Sequence, residues 1–291
     1  VLTMTVVPIL GAGSSMADYR IGFKWWALII AVVFVISELV CVACVPERPV
    51  ACDEKPGKIS DMFKALFKND QAMTVVVSII LVYTSLNICG NLVLYFFRFD
   101  VGNEGAYSIF AAVAFAAQVL VMMVIPLLRK RFSKSQLFIS GFIIQIAGFA
   151  VILIMAFAKL YTPQSWYILC LPGILIYLGY GMLNVIMTIF LSDSVDYGEV
   201  MNGTREESVI FSMQTFTVKL ASGVAVFLAG LVVDWIHLDT AAAVQTQDTL
   251  DALRMWMTIP SVILLIVGIF VFKRFYKLDD TRMEEIKSKL N

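Results

Sequence analysis

Seven apolar runs divide this sequence, and each is long enough to cross a lipid bilayer as a single helix. A spanning helix needs about 18–20 predominantly apolar residues. Hydrophobic residues make up 60% of the 291 residues and charged residues only 15%, against about 25% charged residues in a soluble domain. The sequence therefore predicts an all-α polytopic membrane protein, with spans near 24–45, 72–97, 104–128, 136–158, 166–192, 208–235 and 255–272.

The Lys and Arg residues are distributed unevenly between the two sides of the predicted spans. Sixteen of the 22 lie in the C-terminal tail and in the connections on the same side, five lie on the opposite side, and Lys219 lies within a span. Because cytoplasmic connections carry an excess of Lys and Arg, we expect a multi-pass protein of the cell (inner, cytoplasmic) membrane with its C-terminus in the cytoplasm.

Several function classes are disfavoured by the residue types present. The formal net charge is zero, which gives no reason to expect a nucleic-acid partner. His237 is the single histidine, and Cys41 and Cys44 form a C-x-x-C pair inside an apolar run, where plain packing is the simpler interpretation. We therefore predict no enzyme, no metal centre and no cofactor, and the lipid bilayer as an obligatory partner.

The chain is expected to be an N-terminally truncated part of a longer protein. It begins with Val1 rather than Met, and the apolar stub 1–10 is too short to span a membrane. We predict a partial helix and one full helix in 1–45, and a cytoplasmic linker with an amphipathic surface helix in 46–71. A six-helix transmembrane bundle is predicted for 72–277 and a cytoplasmic tail for 278–291.

Lys219 is the one ionised side chain in the interior of the run 208–235. At about 1.5 Å rise per residue it lies about 16 Å from the start of that helix, close to the middle of a ~30 Å hydrocarbon core. A lysine there costs roughly 2.5–3.5 kcal/mol, so by default it indicates a functional site. It shares one helical face with four small polar residues, which predicts a cavity-lining helix: Ser208, Ser212, Thr215 and Ser222.

An acidic segment joins the fifth and sixth predicted spans. Asp193 and Asp196 lie one turn apart near a helix C-terminus, where carboxylates oppose the helix dipole. They should therefore be held by a cation, and Arg205 is the nearest one in sequence. We expect a charge network at this end of the bundle that opens and closes during a functional cycle, with a static solvated loop as the alternative.

This segment resembles the signature region of the glycoside-pentoside-hexuronide:cation symporters, the melibiose-permease-like branch of the major facilitator superfamily. The resemblance consists of D-x-V-D-Y-G-E, then R-x-E-S, then Q-T-x-x-V-K. The matching positions are Asp193, Val195, Asp196, Tyr197, Gly198, Glu199, Arg205, Glu207, Ser208, Gln214, Thr215, Val218 and Lys219.

The resemblance implies the major facilitator fold, here its C-terminal six-helix half plus one complete and one partial helix of the N-terminal half. It implies that Lys219 and Thr215 lie beside the site of a coupling Na⁺ or H⁺, a co-substrate rather than a cofactor. It places Asp193, Asp196, Tyr197, Glu199, Arg205 and Glu207 in a cytoplasmic gate. It also implies that the counter-charges of Lys219 belong to the missing N-terminal half, which becomes a necessary partner.

Amide and phenol side chains recur at helical spacing on two further helices. Tyr177, Tyr180 and Asn184 follow one another on one helix, among glycines that allow close helix approach or a bend, and Asn87 and Asn91 lie between tyrosines on another. Sugars need amide and hydroxyl partners and an aromatic face, so we predict these residues, with Gln214 and Thr215, as the lining of a sugar cavity. Interhelical hydrogen bonding is the alternative. Asn184 replaces the sugar-stacking tryptophan of melibiose permeases, which disfavours melibiose itself.

The leading hypothesis is cation-coupled symport of a glycoside, pentoside or hexuronide by alternating access. A transporter of another amphiphile, such as a lysolipid or a drug, is the alternative within the same architecture. A seven-helix receptor is suggested only by the number of complete spans. The six-helix group that follows a long linker favours a transporter over a receptor.

Overall fold

The computed structural model of the protein describes residues 2–11, 16–44, 67–203, 205, 207–240, 242 and 244–290. The chain divides into two compact units between Gly57 and Lys58. Most of the predicted linker 46–71, including the amphipathic segment up to residue 66, lies outside the described residues.

The first unit is a helical hairpin. Helix α1 (Leu2–Gly11) and helix α2 (Met16–Cys44) pack against each other. A Cβ atom at Gly22 would lie 2.1 Å from the Val7 carbonyl oxygen, so the absence of a side chain there permits the contact between the two backbones. Helix α2 contains a membrane-length span from Arg20 to Cys44.

The second unit contains, among its described residues, six membrane-length helices and one short terminal helix. Helix α3 runs from Asp70 to Tyr95 and continues as a π-helical turn, Phe96–Asp100. The others are α4 (Ala106–Leu128), α5 (Lys134–Phe157), α6 (Cys170–Asn202, preceded by a 3₁₀ turn at Trp166–Leu169), α7 (Glu207–Trp235), α8 (Gln247–Phe275) and α9 (Asp280–Leu290).

All seven spans predicted from the sequence are confirmed as membrane-length apolar helices among the described residues. Three boundaries were wrong. Helix α2 begins at Met16 rather than near 24. Helix α8 begins at Gln247 rather than near 255, because the charged residues Asp251 and Arg254 are paired inside the bundle and do not end the helix. Helix α6 continues to Asn202 and ends at Gly203 in the left-handed conformation, φ 72°, so the acidic segment is mostly helical rather than a loop.

The core of the second unit is built where glycines let helices approach and phenylalanines fill the space between them. A Cβ atom at Gly179 of α6 would lie 2.5 Å from the Gly141 carbonyl oxygen of α5, which confirms the predicted close helix approach. Phe138, Phe190 and Phe272 come from α5, α6 and α8, and their rings meet at centroid distances of 4.5–5.2 Å. Aromatic pairs at such distances add to the energy of burial.

The second unit has two ends, which we name after one buried cation at each. The Lys134 end contains Asn69, Lys134 and Arg205, and the Arg254 end contains Asp100, Tyr161 and Arg254. Helix α7 packs mainly on α3. Its contact face consists of small residues, Ala221, Ala225 and Ala229, all at most 5% exposed, which agrees with the packing role that alanines have between membrane helices.

Candidate functional site

A polar and aromatic cluster joins α3 and α6 near the middle of both helices. The Asn184 amide nitrogen donates a hydrogen bond of 2.7 Å to the Tyr83 hydroxyl. The Tyr83 and Tyr180 rings meet edge to face at 5.5 Å, and Tyr177 and Tyr180 at 6.4 Å. The predicted stripe of α6 and the predicted stripe of α3 therefore meet. Asn184 makes the interhelical hydrogen bond of the alternative interpretation, and because it is only half-buried, cavity lining stays a prediction for it.

The two asparagines of α3 turn part of their hydrogen-bonding capacity toward their own helix. The Asn87 amide donates to the Tyr83 carbonyl at 2.7 Å, and the Asn91 amide donates to the Asn87 carbonyl at 2.8 Å. Their side-chain oxygens have no partner among the described residues. Both residues are half-buried, so each presents an acceptor at the edge of α3.

Lys219 lies on an exposed face of α7, beside the alanine face that packs against α3. Thr215 and Lys219 are both exposed, whereas the alanines on the other face are buried. No described residue forms an ion pair with Lys219. Thr215 donates only to the Phe211 carbonyl of its own helix, at 3.3 Å, and Gln214 is half-buried beside it. The predicted polar stripe is therefore an open face within this unit.

The acidic segment is held by two cations rather than one. Arg205 contacts Asp196 at 3.2 Å, as predicted, and it also contacts Glu199 at 2.7 Å and Glu207 at 3.2 Å. The hydrogen bonds with Glu199 and then Glu207 raise the pKa of the Arg205 guanidinium. The assignment of Arg205 to Asp193 was wrong, because Asp193 is buried and pairs with Lys134 of α5.

Lys134 is the centre of a network that includes the terminal helix. Its ammonium group contacts both Asp193 and, at 3.4 Å, Asp280 of α9, and Asp280 also pairs with Arg129 at 3.3 Å. Burial raises the pKa of the Tyr276 hydroxyl, and the nearby carboxylates of Asp193 and Asp280 raise it further. Met283 and Ile286 of α9, with Leu278 just before it, also pack against Tyr197 and Val200 of α6.

Gly198 of the D-Y-G-E motif has a definite packing reason. Asn69, the N-cap of α3, donates from its side-chain amide to the Ser194 carbonyl of α6 at 2.8 Å, and its side-chain oxygen accepts from the Ala72 N–H at 2.9 Å. A Cβ atom at Gly198 would lie 2.8 Å from the Asn69 amide nitrogen. The motif glycine therefore makes room for the cap that ties α3 to α6.

Sequence reasoning missed a buried ion-pair network at the Arg254 end. The Arg254 guanidinium contacts the Asp100 carboxylate with two hydrogen bonds, of 2.5 and 2.9 Å, and contacts Asp251 at 2.6 Å. Tyr161 donates to Asp100 at 2.5 Å. Burial raises the pKa of the Tyr161 hydroxyl, and its hydrogen bond to Asp100 raises it further. The charged residues Asp100 and Arg254, each at the edge of an apolar run, were the available signal for this pair.

These observations define the class of protein as an all-α, multi-pass membrane protein with polar and charged side chains at mid-helix and at both ends of its bundle. Residues 1–280 match the family described as MFS/sugar transport protein. The chain therefore belongs to that family, a group of transporters rather than of enzymes, and the predicted relationship to the sugar-symporter branch is confirmed.

The relatives that the chain resembles are named as sugar carriers or symporters. It is 24% identical to the "Uncharacterized symporter YjmB" of Bacillus subtilis over 100% of the chain and 61% of the relative. It is 23% identical to the "Raffinose carrier protein" of Pediococcus pentosaceus (100% and 45%) and 25% identical to the "Isoprimeverose transporter" of Lactiplantibacillus pentosus (96% and 56%). The chain thus spans about half of the length of these curated relatives.

Proposed function

We propose that this chain is part of a secondary transporter that carries a glycoside, pentoside or hexuronide together with Na⁺ or H⁺ by alternating access. The observation that carries the proposal is the cluster of Tyr83, Tyr177, Tyr180 and Asn184 between α3 and α6 in a membrane-spanning bundle, with Tyr180 buried and the others half-buried. The family match and the printed names of the relatives support sugar as the solute.

The cluster has the chemistry that sugar recognition requires. A sugar ring offers hydroxyl groups that donate and accept hydrogen bonds, and C–H faces that pack on aromatic rings. Asn184 supplies an amide group, Asn87 beside Tyr83 on α3 supplies another, and Tyr177 and Tyr180 supply rings and hydroxyls. A lysolipid or a drug needs a larger apolar surface than this cluster of amide and hydroxyl groups offers. Nothing in the cluster favours one of these solutes.

Lys219 and Thr215 are proposed to act at the cation-coupling site. Both lie on the open face of α7, and the lysine has no ion-pair partner within the described part of the chain. A lysine in hydrocarbon is normally neutralised by carboxylates. We expect those carboxylates in the N-terminal half of the whole protein, where they would also face the transported cation.

The Lys134 end is proposed as the cytoplasmic gate, with the C-terminus in the cytoplasm of the cell. Asp196 and Glu199 of α6, Arg205 of the connection and Glu207 of α7 form a partly exposed charge cluster, and Tyr197 contacts the terminal helix. Charge pairs accessible to water exchange partners at little cost, which suits contacts that form and break once in every cycle.

The test is sugar uptake by the full-length protein in proteoliposomes. The sugars offered are radiolabelled raffinose, isoprimeverose and lactose, the last because another similar protein is the "Lactose permease" of Lactobacillus helveticus. Each is offered with an inward Na⁺ gradient, an inward H⁺ gradient, or neither. We expect accumulation of at least one sugar that requires one of the two gradients. Uptake that is indifferent to both gradients would contradict cation coupling, and no uptake of any of these sugars would contradict this substrate range.

Two variants test the proposed roles of Asn184 in sugar binding and of Lys219 in cation coupling. Asn184→Ala removes the amide that bonds Tyr83, and we expect sugar uptake to fall at least tenfold, the effect of losing about 1.4 kcal/mol of binding. Lys219→Ala should abolish cation-dependent accumulation while downhill sugar exchange remains. Unaltered coupling in the Lys219 variant would overturn its proposed role. The control is Val224→Ala, a small change at an exposed residue of the same helix that lies outside the polar stripe.

A further inference from the structure

A cavity of about 560 Å³ lies between α3 and α7, toward the Arg254 end of the bundle. Ligand pockets typically measure about 300–1,000 Å³. The polar groups in the cavity wall are Asn91 and Tyr95 of α3 and Asp234 of α7. It is distinct from the cluster around Asn184, because Asn91 lies eight residues beyond Tyr83 on α3, about 12 Å along the helix axis.

The three polar groups of this cavity keep unused hydrogen-bonding capacity. The Asp234 carboxylate and the Tyr95 hydroxyl have no hydrogen-bond partner among the described residues. The Asn91 amide nitrogen is engaged with Asn87, which leaves its side-chain oxygen free. Together they offer one hydroxyl that both donates and accepts and two strong acceptors.

Asp234 occupies a position that local helix energetics disfavour. It is the penultimate residue of α7, and a carboxylate in the last turn of a helix is repelled by the negative end of the helix dipole. The other charged residue in that membrane-spanning helix interior, Lys219, is 15 residues away, about 22 Å along the axis. Neither the helix dipole nor an ion pair among the described residues therefore stabilises the Asp234 carboxylate at this position.

The α7 wall of the cavity is kept small by glycine. Lys219, Gly223, Gly230 and Asp234 share one helical face. A Cβ atom at Gly230 would meet nothing within 4 Å, so packing among the described residues does not require a glycine there. Glycine in a helix interior costs about 1 kcal/mol relative to alanine, and the space that it leaves belongs to the cavity.

We infer that this cavity is a second, outer sugar-binding station, in which Asp234, Asn91 and Tyr95 hold sugar hydroxyls. The inference rests on the proposed function and extends it. A carboxylate accepts hydrogen bonds from two neighbouring sugar hydroxyls, and the exposed ring of Phe227 offers an apolar surface to the C–H face. The sugar reaches the Tyr83–Asn184 cluster from this station by moving about two helical turns along α3.

The experiment measures KM and kcat of uptake by the full-length protein for the sugar that it transports fastest among raffinose, isoprimeverose and lactose. Asp234→Asn keeps the side-chain shape and removes the charge. We expect KM to rise about tenfold, the effect of one charge-assisted hydrogen bond, with kcat changed less than twofold. Gly230→Leu adds a side chain to the cavity wall at a position where a Cβ atom meets nothing within 4 Å, and it should raise KM as well.

The matched control is Asp248→Asn, which removes one exposed carboxylate at the same end but outside the cavity. Unchanged KM values in both Asp234→Asn and Gly230→Leu overturn the outer station. A rise in KM for the coupling cation alone in Asp234→Asn also overturns it, because the cavity would then bind cations. The proposed function fails separately, if Asn184→Ala leaves uptake intact.

Discussion

The two ends of the six-helix bundle are both held by buried ion pairs, but the pairs differ in how completely they are enclosed. At the Arg254 end, the Asp100 and Arg254 side chains are each 3% exposed, and Tyr161 closes the remaining side. At the Lys134 end, Lys134 and Asp193 are each 7% exposed, but their third partner, Asp280, is 42% exposed and belongs to the terminal helix.

The difference also concerns which helices are joined. Asp100 and Arg254 connect α3 to α8, and the same two helices exchange reciprocal hydrogen bonds between Ser85 and Ser261, of 3.0 and 2.8 Å. The Lys134 end instead joins α5 to α6 and to α9, beside the exposed cluster around Arg205. An ion-pair network that is enclosed favours a permanent contact between helices, whereas a network that is open to water favours exchange of partners. The comparison therefore supports the proposed gate at the Lys134 end.

The largest effect is expected from breaking the enclosed pair. Asp100→Asn leaves the buried Arg254 charge with Asp251 as its one acidic partner, and breaking a buried ion pair typically costs about 3–5 kcal/mol of unfolding free energy. Unfolding of the full-length protein in mixed detergent micelles measures this loss. We expect expression and thermal stability to fall together.

The control at the same end is Lys159→Gln, which removes one exposed hydrogen bond to Gln247 and should cost less than about 1 kcal/mol. If Asp100→Asn is no more destabilising than this control, the Arg254 end is not the permanent contact between helices that the comparison requires.

A smaller loss is expected when the corresponding pair at the Lys134 end is broken. Asp193→Asn removes the main partner of Lys134, but Asp280 remains within 3.4 Å, so we expect about 1–3 kcal/mol. A double-mutant cycle that combines Asp193→Asn with Asp280→Asn measures how strongly the two carboxylates are coupled through Lys134. Coupling below about 0.5 kcal/mol would mean that the two carboxylates act independently on Lys134.

The sequence was sufficient for the helices but not for every partner of a charge. Apolar runs identify spans because the thickness of the hydrocarbon core sets their length. The pairing of Arg205 with Asp196 was predictable because the two residues are close in sequence. Lys134 and Asp193 lie 59 residues apart, and Asp100 and Arg254 lie 154 apart. Such pairs depend on which helices become neighbours, which the helical periodicity of one chain does not specify.

The candidate sugar site shows the same limit. Spacing placed Tyr177, Tyr180 and Asn184 on one face and Asn87 and Asn91 on another. The contact between Asn184 and Tyr83, which joins the two faces, required the packing of α3 beside α6. The cavity at Asp234 was not predicted at all, because a lone aspartate at a helix end has an ordinary solvent-exposed interpretation.

The terminal helix offers a test of how open the Lys134 end is. Asp280→Asn removes a partly exposed partner of Arg129 and Lys134, and we expect a loss of at most about 1 kcal/mol of unfolding free energy. Amide hydrogen exchange within α9 should nevertheless become faster, because Leu278, Met283 and Ile286 alone would hold the helix on α6. Unchanged exchange would mean that the apolar contacts fix α9 without the ion pairs.

The smallest effect on stability is expected at the charge cluster around Arg205. There the effect on transport should be large compared with the effect on stability. Arg205 is 48% exposed, so Arg205→Gln should change the unfolding free energy by less than about 1 kcal/mol. If its pairs close the gate, the variant changes the uptake rate at constant stability. Raising ionic strength with choline chloride from 0.1 to 1 M shortens the Debye length from about 10 to about 3 Å. The wild-type rate should then approach that of the variant, whereas an equal salt response in both proteins would exclude Arg205 from the gate.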